Sequence, residues 1–239
     1  MKLDLRALLL VLLAAALVAC ADEPRSVATL PGEGPAVEAP GNAPAVEEEL
    51  VIPPGAPQVV FLGDSIAAGL HLPAEAAFPA VLQRELARRG RPFALVNAGV
   101  SGDTSAGGLR RVDWVLAQKP AVLVVELGGN DGLRGQPVEA IESNLRAIVR
   151  RAKEQGVDVL LLGVRLPPSL GAEYVASFEA LYPRLAESER VAFVPYFMEK
   201  VGGVPEMLLE DGLHPNRAGH ERIAANVMDE LEGLLARRR

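Results

Sequence analysis

Val59-Val60-Phe61-Leu62-Gly63-Asp64-Ser65 is the stretch from which the fold of this chain is read. Four consecutive apolar residues closed by a glycine predict a short strand buried on both faces, because a half-exposed strand would alternate apolar and polar. Similar runs at residues 95–97, 121–127, 157–163 and 191–195 are rich in Val and Leu and predict further buried strands. Between them, residues 78–89, 109–118, 138–155 and 174–187 carry apolar side chains at helical spacing. A last helix opens after Pro215 and Asn216 and sets Ile223, Val227, Leu231 and Leu235 on one core-facing stripe. Buried strands alternating with helices give an α/β domain, a parallel sheet covered on both faces in three layers, α/β/α. Residues 58–239 form this domain, a length suited to one substantial core.

In such a sheet, ligands sit beyond the carboxyl ends of the strands. Ser65 follows the first strand, Asn97-Ala98-Gly99-Val100-Ser101-Gly102-Asp103-Thr104 the second, and Gly128-Gly129-Asn130-Asp131 the third. Near the C-terminus stands Asp211-Gly212-Leu213-His214-Pro215. A serine hydroxyl becomes a nucleophile when an imidazole takes its proton and a third group orients that imidazole. Ser65, His214 and Asp211 fit those roles. An oxyanion formed at Ser65 needs fixed donors. The main-chain N–H groups of Ser65 and Gly102 and the side-chain amide of Asn130 are candidates, glycine at 102 letting the main chain come close.

Plainer roles are set beside these. Ser65 could instead cap the helix that follows, and Asp64 is expected to hydrogen-bond neighbouring loops. Ser101 and Ser105 are rival nucleophiles, but neither directly follows a strand. His71 and His220 are expected to face solvent, and Trp114 to lie in the core. Three scattered histidines and one cysteine show no metal-ligand spacing, so neither metal nor cofactor is expected. The nucleophile elbow of α/β-hydrolases is excluded, because Gly63-x-Ser65-x-Ala67 lacks its second glycine and the acid and base sit three residues apart.

The first 57 residues are of another character. Lys2 and Arg6 precede an apolar run of 13 residues, 7–19, that ends at Cys20, the only cysteine. That run is too short to span a bilayer, which takes about 20 residues, and it predicts an export signal. It resembles a bacterial lipoprotein signal, which implies cleavage before Cys20 and lipid on that cysteine. Residues 20–57 are therefore expected to form the lipidated cysteine and a disordered tether rich in Pro, Ala and Glu. A coil of this length reaches on the order of 30–40 Å. Of the net charge of −7, residues 21–50 carry −6 and residues 1–20 carry +1, which leaves −2 for the domain. The domain has no basic surplus to serve as a nucleic-acid footprint. The expected location is extracytoplasmic, lipid-anchored to a bacterial membrane, on the periplasmic or cell-surface face.

Gly63-Asp64-Ser65, Gly102, Gly129-Asn130-Asp131 and Asp211-x-x-His214 resemble, in order and spacing, the four blocks of the SGNH hydrolases, also called the GDSL esterases. Longer stretches, among them Val125-Glu126-Leu127-Gly128-Gly129-Asn130-Asp131-Gly132-Leu133-Arg134-Gly135 and Arg165-Leu166-Pro167, are similar to the branch with thioesterase, lysophospholipase and arylesterase activities. The resemblance implies a flavodoxin-like sheet of five parallel strands. It implies Ser65 as nucleophile, Asp211 and His214 as its partners, Gly102 and Asn130 in the oxyanion hole, and Leu133 and Leu166 against the acyl chain. The expected activity is hydrolysis of acyl esters and thioesters, with lysophospholipids, aryl esters or acyl-CoA as substrates. A monomer is expected, in contact with the membrane through its N-terminal lipid. The alternatives are a carbohydrate O-deacetylase and a non-catalytic lipid-binding lipoprotein.

Overall fold

The structure is a computed structural model, and it describes residues 50–237. The expected signal 1–19, Cys20, the tether up to residue 49 and the final Arg238-Arg239 lie outside the described residues.

The five predicted strands are present as β1 (Gln58–Gly63), β2 (Ala94–Gly99), β3 (Val122–Glu126), β4 (Asp158–Leu162) and β5 (Ala192–Val194). They pair in parallel in the order β2-β1-β3-β4-β5. The helices are α1 (Ser65–Ala68), α2 (Phe78–Arg88), α3 (Ser105–Leu116), α4 (Gly129–Leu133), α5 (Val138–Glu154), α6 (Ala172–Glu189) and α7 (Arg217–Ala236). The one-turn helix α4 was not foreseen, and α1 entered only as a helix that Ser65 could cap, since neither is long enough to show a 3.6-residue period.

Alternation along each strand divides the core into two halves. Val59, Phe61, Val122, Val124, Leu160 and Leu162 pack with α2 and α7 on one face of the sheet. Val60, Leu62, Leu123, Val125, Val159 and Leu161 pack with α3, α5 and α6 on the other. Each fully buried Val, Leu or Ile stabilises the fold by about 1.5–3 kcal/mol, so a sheet apolar on both faces is stable only as the middle of three layers. The predicted stripe of α7 lies in this core, with Ile223, Val227 and Leu231 fully buried. Side chains mark the helix starts: Thr104 accepts from the Gly107 N–H, and Asn216 from the Gly219 N–H, each at 3.1 Å.

Two expectations fail. Trp114 is 57% exposed, because Val112, Val115 and Leu116 form the buried stripe of α3 and residue 114 falls outside it. His220 is buried, because it precedes Ile223 and Ala224 by three and four residues on the core stripe of α7. Its Nδ1 accepts the Phe78 N–H at 3.1 Å, which ties the start of α2 to α7.

The strand order positions the site. From β1 the chain goes first to β2 on one side and then to β3 on the other, so the direction of winding reverses at β1, where a crevice opens beyond the carboxyl ends. Register places Gly63 beside both Gly99 and Glu126, so the segments leaving β1, β2 and β3 start from one line.

Candidate active site

Ser65 is the first residue of α1, and Asp64 is the N-cap, its Oδ1 accepting the Ile66 N–H at 3.0 Å. The capping role weighed for Ser65 therefore belongs to its neighbour, and the serine hydroxyl is left for other work. Ser65 Oγ lies 2.9 Å from His214 Nε2, and His214 Nδ1 lies 2.6 Å from Asp211 Oδ2. Asp211 Oδ1 accepts the N–H groups of Leu213 and His214 at 2.9 Å each. The His214 N–H, then the His214 ring and the Leu213 N–H, hold the Asp211 carboxyl far below the usual carboxylate range. An ionised Asp211 makes Nδ1 the protonated ring nitrogen, so Nε2 is the acceptor that faces the serine.

The loop that carries this pair is closed by its own main chain. The Leu209 N–H donates to His214 O at 2.8 Å, and the Asn216 N–H to Met207 O at 2.9 Å. Asn216 Nδ2 also donates to Glu206 O and Leu208 O. These bonds fix His214 at the mouth of the sheet although 149 residues separate it from Ser65.

The donors expected around an oxyanion are gathered here. Among the described residues, the N–H groups of Ser65 and Gly102 meet no acceptor. Asn130 Nδ2 donates one hydrogen to Asp64 Oδ2 at 3.0 Å, which leaves its second free to serve elsewhere. Glycine at 102 also meets a backbone requirement. Its φ is +78°, a left-handed conformation, whereas a Cβ there would meet only the Arg134 guanidinium at 3.7 Å.

Two arginines that the sequence reading passed over brace the loops. Arg134 donates to Gly102 O at 3.1 Å. Arg111 pairs through Nε with Asp103 Oδ2 at 2.7 Å and donates to Ala98 O and Gly63 O, joining the ends of β1 and β2 to the Gly102 loop. Long-range partners of this kind leave no local sequence signal. Ser105 is buried and its hydroxyl donates to Asp131 Oδ1 at 2.7 Å, so it holds α3 to α4 and does not face the imidazole. Ser101 lines the cleft, but the imidazole is bonded to Ser65. His71 is exposed as expected, yet its ring meets that of His214 edge to face at 6.5 Å.

Beside Ser65 lies a cleft of about 240 Å³ lined by Ile66, Leu70, Leu133, Val164, Leu166 and Met198, with Gly102, Asn130 and His214 at its polar end. Leu133 and Leu166, which the resemblance places against an acyl chain, both line this cleft. Among the described residues, no His, Cys, Asp or Glu group is arranged to hold a metal ion. The arrangement suits attack on a carbonyl carbon that carries an apolar substituent.

Residues 61–222 match the GDSL-like Lipase/Acylhydrolase family. The chain is 46% identical over 178 residues to esterase TesA of Pseudomonas aeruginosa, covering 74% of this chain and 89% of that protein. It is 40% identical over 178 residues to thioesterase 1/protease 1/lysophospholipase L1 of Escherichia coli, covering 74% and 84%. The crystal structure of the psychrotrophic esterase EstA from Pseudoalteromonas sp., inhibited by monoethylphosphonate, superposes with a TM-score of 0.71 at 31% identity, covering 75% of this chain and 98% of that one. With its five-stranded parallel sheet and these relatives, the chain belongs to the GDSL-like lipase/acylhydrolase family and is an ester hydrolase.

Proposed function

We propose that this chain is a serine hydrolase of acyl esters, working through Ser65, His214 and Asp211, with lysophospholipids and other monoacyl esters as its main substrates. The observation that carries the reading is the unbroken contact from Ser65 Oγ through His214 to Asp211, at 2.9 and 2.6 Å, beside an apolar cleft. Ser65 Oγ attacks the acyl carbonyl while His214 Nε2 takes its proton. Negative charge on the carbonyl oxygen is met by the N–H groups of Ser65 and Gly102 and the amide of Asn130. Collapse expels the alcohol, protonated by His214, and leaves an acyl-serine. Water, deprotonated by the same imidazole, then releases the fatty acid. The apolar lining supports an acyl chain over acetate, and so this function over a carbohydrate O-deacetylase.

The relative named thioesterase 1/protease 1/lysophospholipase L1 supports acyl thioesters as further substrates, and the resemblance supports aryl esters. The lipoprotein-like segment ending at Cys20 supports a lipid anchor that holds the domain outside the cytoplasm beside membrane esters.

The test combines a fluorophosphonate label with a hydrolysis panel of lysophospholipids, acyl-CoA, aryl esters and acetylated sugars. Labelling at Ser65, loss of both labelling and turnover in Ser65→Ala, and a preference for octanoyl over acetyl esters are expected. Near-normal turnover by Ser65→Ala would remove the serine from the reaction, and a preference for acetate would favour the deacetylase. Unlabelled, inactive folded protein would favour the non-catalytic lipoprotein.

A further inference from the structure

The hydrolytic steps leave one buried acid beneath Ser65 unused. Glu126 is the last residue of β3 and is 1% exposed. Its Oε2 accepts the main-chain N–H of Asp64 at 3.1 Å and of Ala67 at 3.3 Å, one on either side of the serine. Asp64 is 4% exposed; its Oδ1 accepts the Ile66 N–H and its Oδ2 the Asn130 amide, both at 3.0 Å. The two carboxyl groups stand close enough for each to shift the ionisation of the other. Two enclosed carboxylates repel each other, and a proton on one of them turns that repulsion into a hydrogen bond.

Geometry says which. Both Asp64 oxygens already accept, whereas the two N–H bonds to Glu126 fall on Oε2 alone and leave Oε1 for the proton. Burial pushes Glu126 far above the usual carboxylate range, and the charge of Asp64 pushes it further. Burial also raises Asp64, but its bonds from Ile66, Asn130 and Glu126 and the nearby His214 pull it back. The charge therefore rests on Asp64 and the proton on Glu126.

We propose that Glu126, as a neutral acid donating to the Asp64 carboxylate, is a positioning residue that sets both the Ser65 turn and the Asn130 amide. The inference rests on Ser65 as nucleophile and Asn130 as oxyanion donor. With one Nδ2 hydrogen held by Asp64, the Asn130 amide is fixed in plane and its other hydrogen is aimed without a search. A neutral Glu126 also keeps the negative charge under the forming oxyanion to one carboxylate where two would oppose it. Space is kept for the acid, since a Cβ on residue 63 would lie 2.6 Å from Glu126 Oε2.

Glu126→Gln and Glu126→Ala in the full chain test this. A carboxamide can accept the two N–H groups through oxygen and donate to Asp64 through nitrogen, so Glu126→Gln should keep kcat within about threefold. Glu126→Ala should lower kcat about 10- to 100-fold with KM little changed, since misplacing reacting groups by about 1 Å costs on the order of 10²-fold. The infrared spectrum at neutral pH should show a protonated-carboxyl band in the wild type that is gone in Glu126→Gln. Wild-type turnover by Glu126→Ala would overturn the proposal, as would a loss in Glu126→Gln equal to that in Glu126→Ala, or a wild-type spectrum without the band. If Glu126→Ala does not fold, Glu126→Gln and the infrared band decide. Failure of the serine reading is seen separately, as absent fluorophosphonate labelling of the wild type.

Discussion

Replacing Asp211 by Asn should disable the enzyme while leaving the loop intact. The Asn Oδ1 can still accept the N–H groups of Leu213 and His214, so the turn survives. Its Nδ2 would replace the oxygen that now sits 2.6 Å from His214 Nδ1. An amide N–H facing that nitrogen favours the tautomer with hydrogen on Nε2, which then donates to Ser65 and takes no proton from it. For a buried acid of this kind the loss in kcat is about 10⁴. Here the Asp211 side chain is 42% exposed, so water competes with the amide and a loss of about 10²- to 10³-fold is expected. Asp211→Ala should be the milder change in kcat, because water can accept from Nδ1–H, but it breaks both turn bonds and should lower Tm more than Asp211→Asn. The assay is kcat for an aryl octanoate beside a thermal melt of each variant. An Asp211→Asn enzyme within tenfold of wild type, or an Asp211→Ala enzyme clearly slower than Asp211→Asn, would refute the tautomer argument. The carboxyl of Asp211 is depressed in the fold, so its stabilisation is complete above the unfolded value near ~3.9 and is lost as pH falls toward the folded one. The Tm gap between wild type and Asp211→Ala should therefore close on acidification.

Burial, and then the charge of His214, lower His220 to about 4, so the fold favours its neutral form and loses stability as pH falls from about 6.5 through that value. His220→Asn, whose Oδ1 can accept the Phe78 N–H, should flatten Tm across that window; an unchanged slope would place the sensitivity elsewhere. The Tyr182 hydroxyl donates to Leu127 O at 3.0 Å in a fully enclosed position. Tyr182→Phe should cost about 1–3 kcal/mol by urea unfolding, and a change below about 0.3 kcal/mol would mean that water replaces the hydroxyl. Leu166→Ala opens the apolar side of the cleft and should raise kcat/KM for longer acyl chains relative to octanoate by about fourfold per extra methylene buried, from ~0.8 kcal/mol each. An unchanged chain-length profile would move the acyl group out of this cleft.

Much of the fold was legible because parallel strands buried on both faces must be apolar throughout, as Val122 to Val125 are. The long helices were legible by period. The same period, applied to single residues, would have turned His220 inward and Trp114 outward. The one-turn helices α1 and α4 show no period of their own, and they carry Ser65 and Asn130. Arg111, Arg134 and Glu126 were passed over because each bonds main-chain groups or side chains distant in sequence.

Composition and pattern by themselves determined the layer order and the edge of the sheet on which the candidate residues stand, because burial and chirality constrain a short apolar repeat to few arrangements. Only the tertiary structure decided the distances: which of three serines meets an imidazole, which nitrogen faces it, and which buried acid lies under the nucleophile. Those outcomes depend on contacts between residues 26 to 149 positions apart, and local sequence carries no record of such separations.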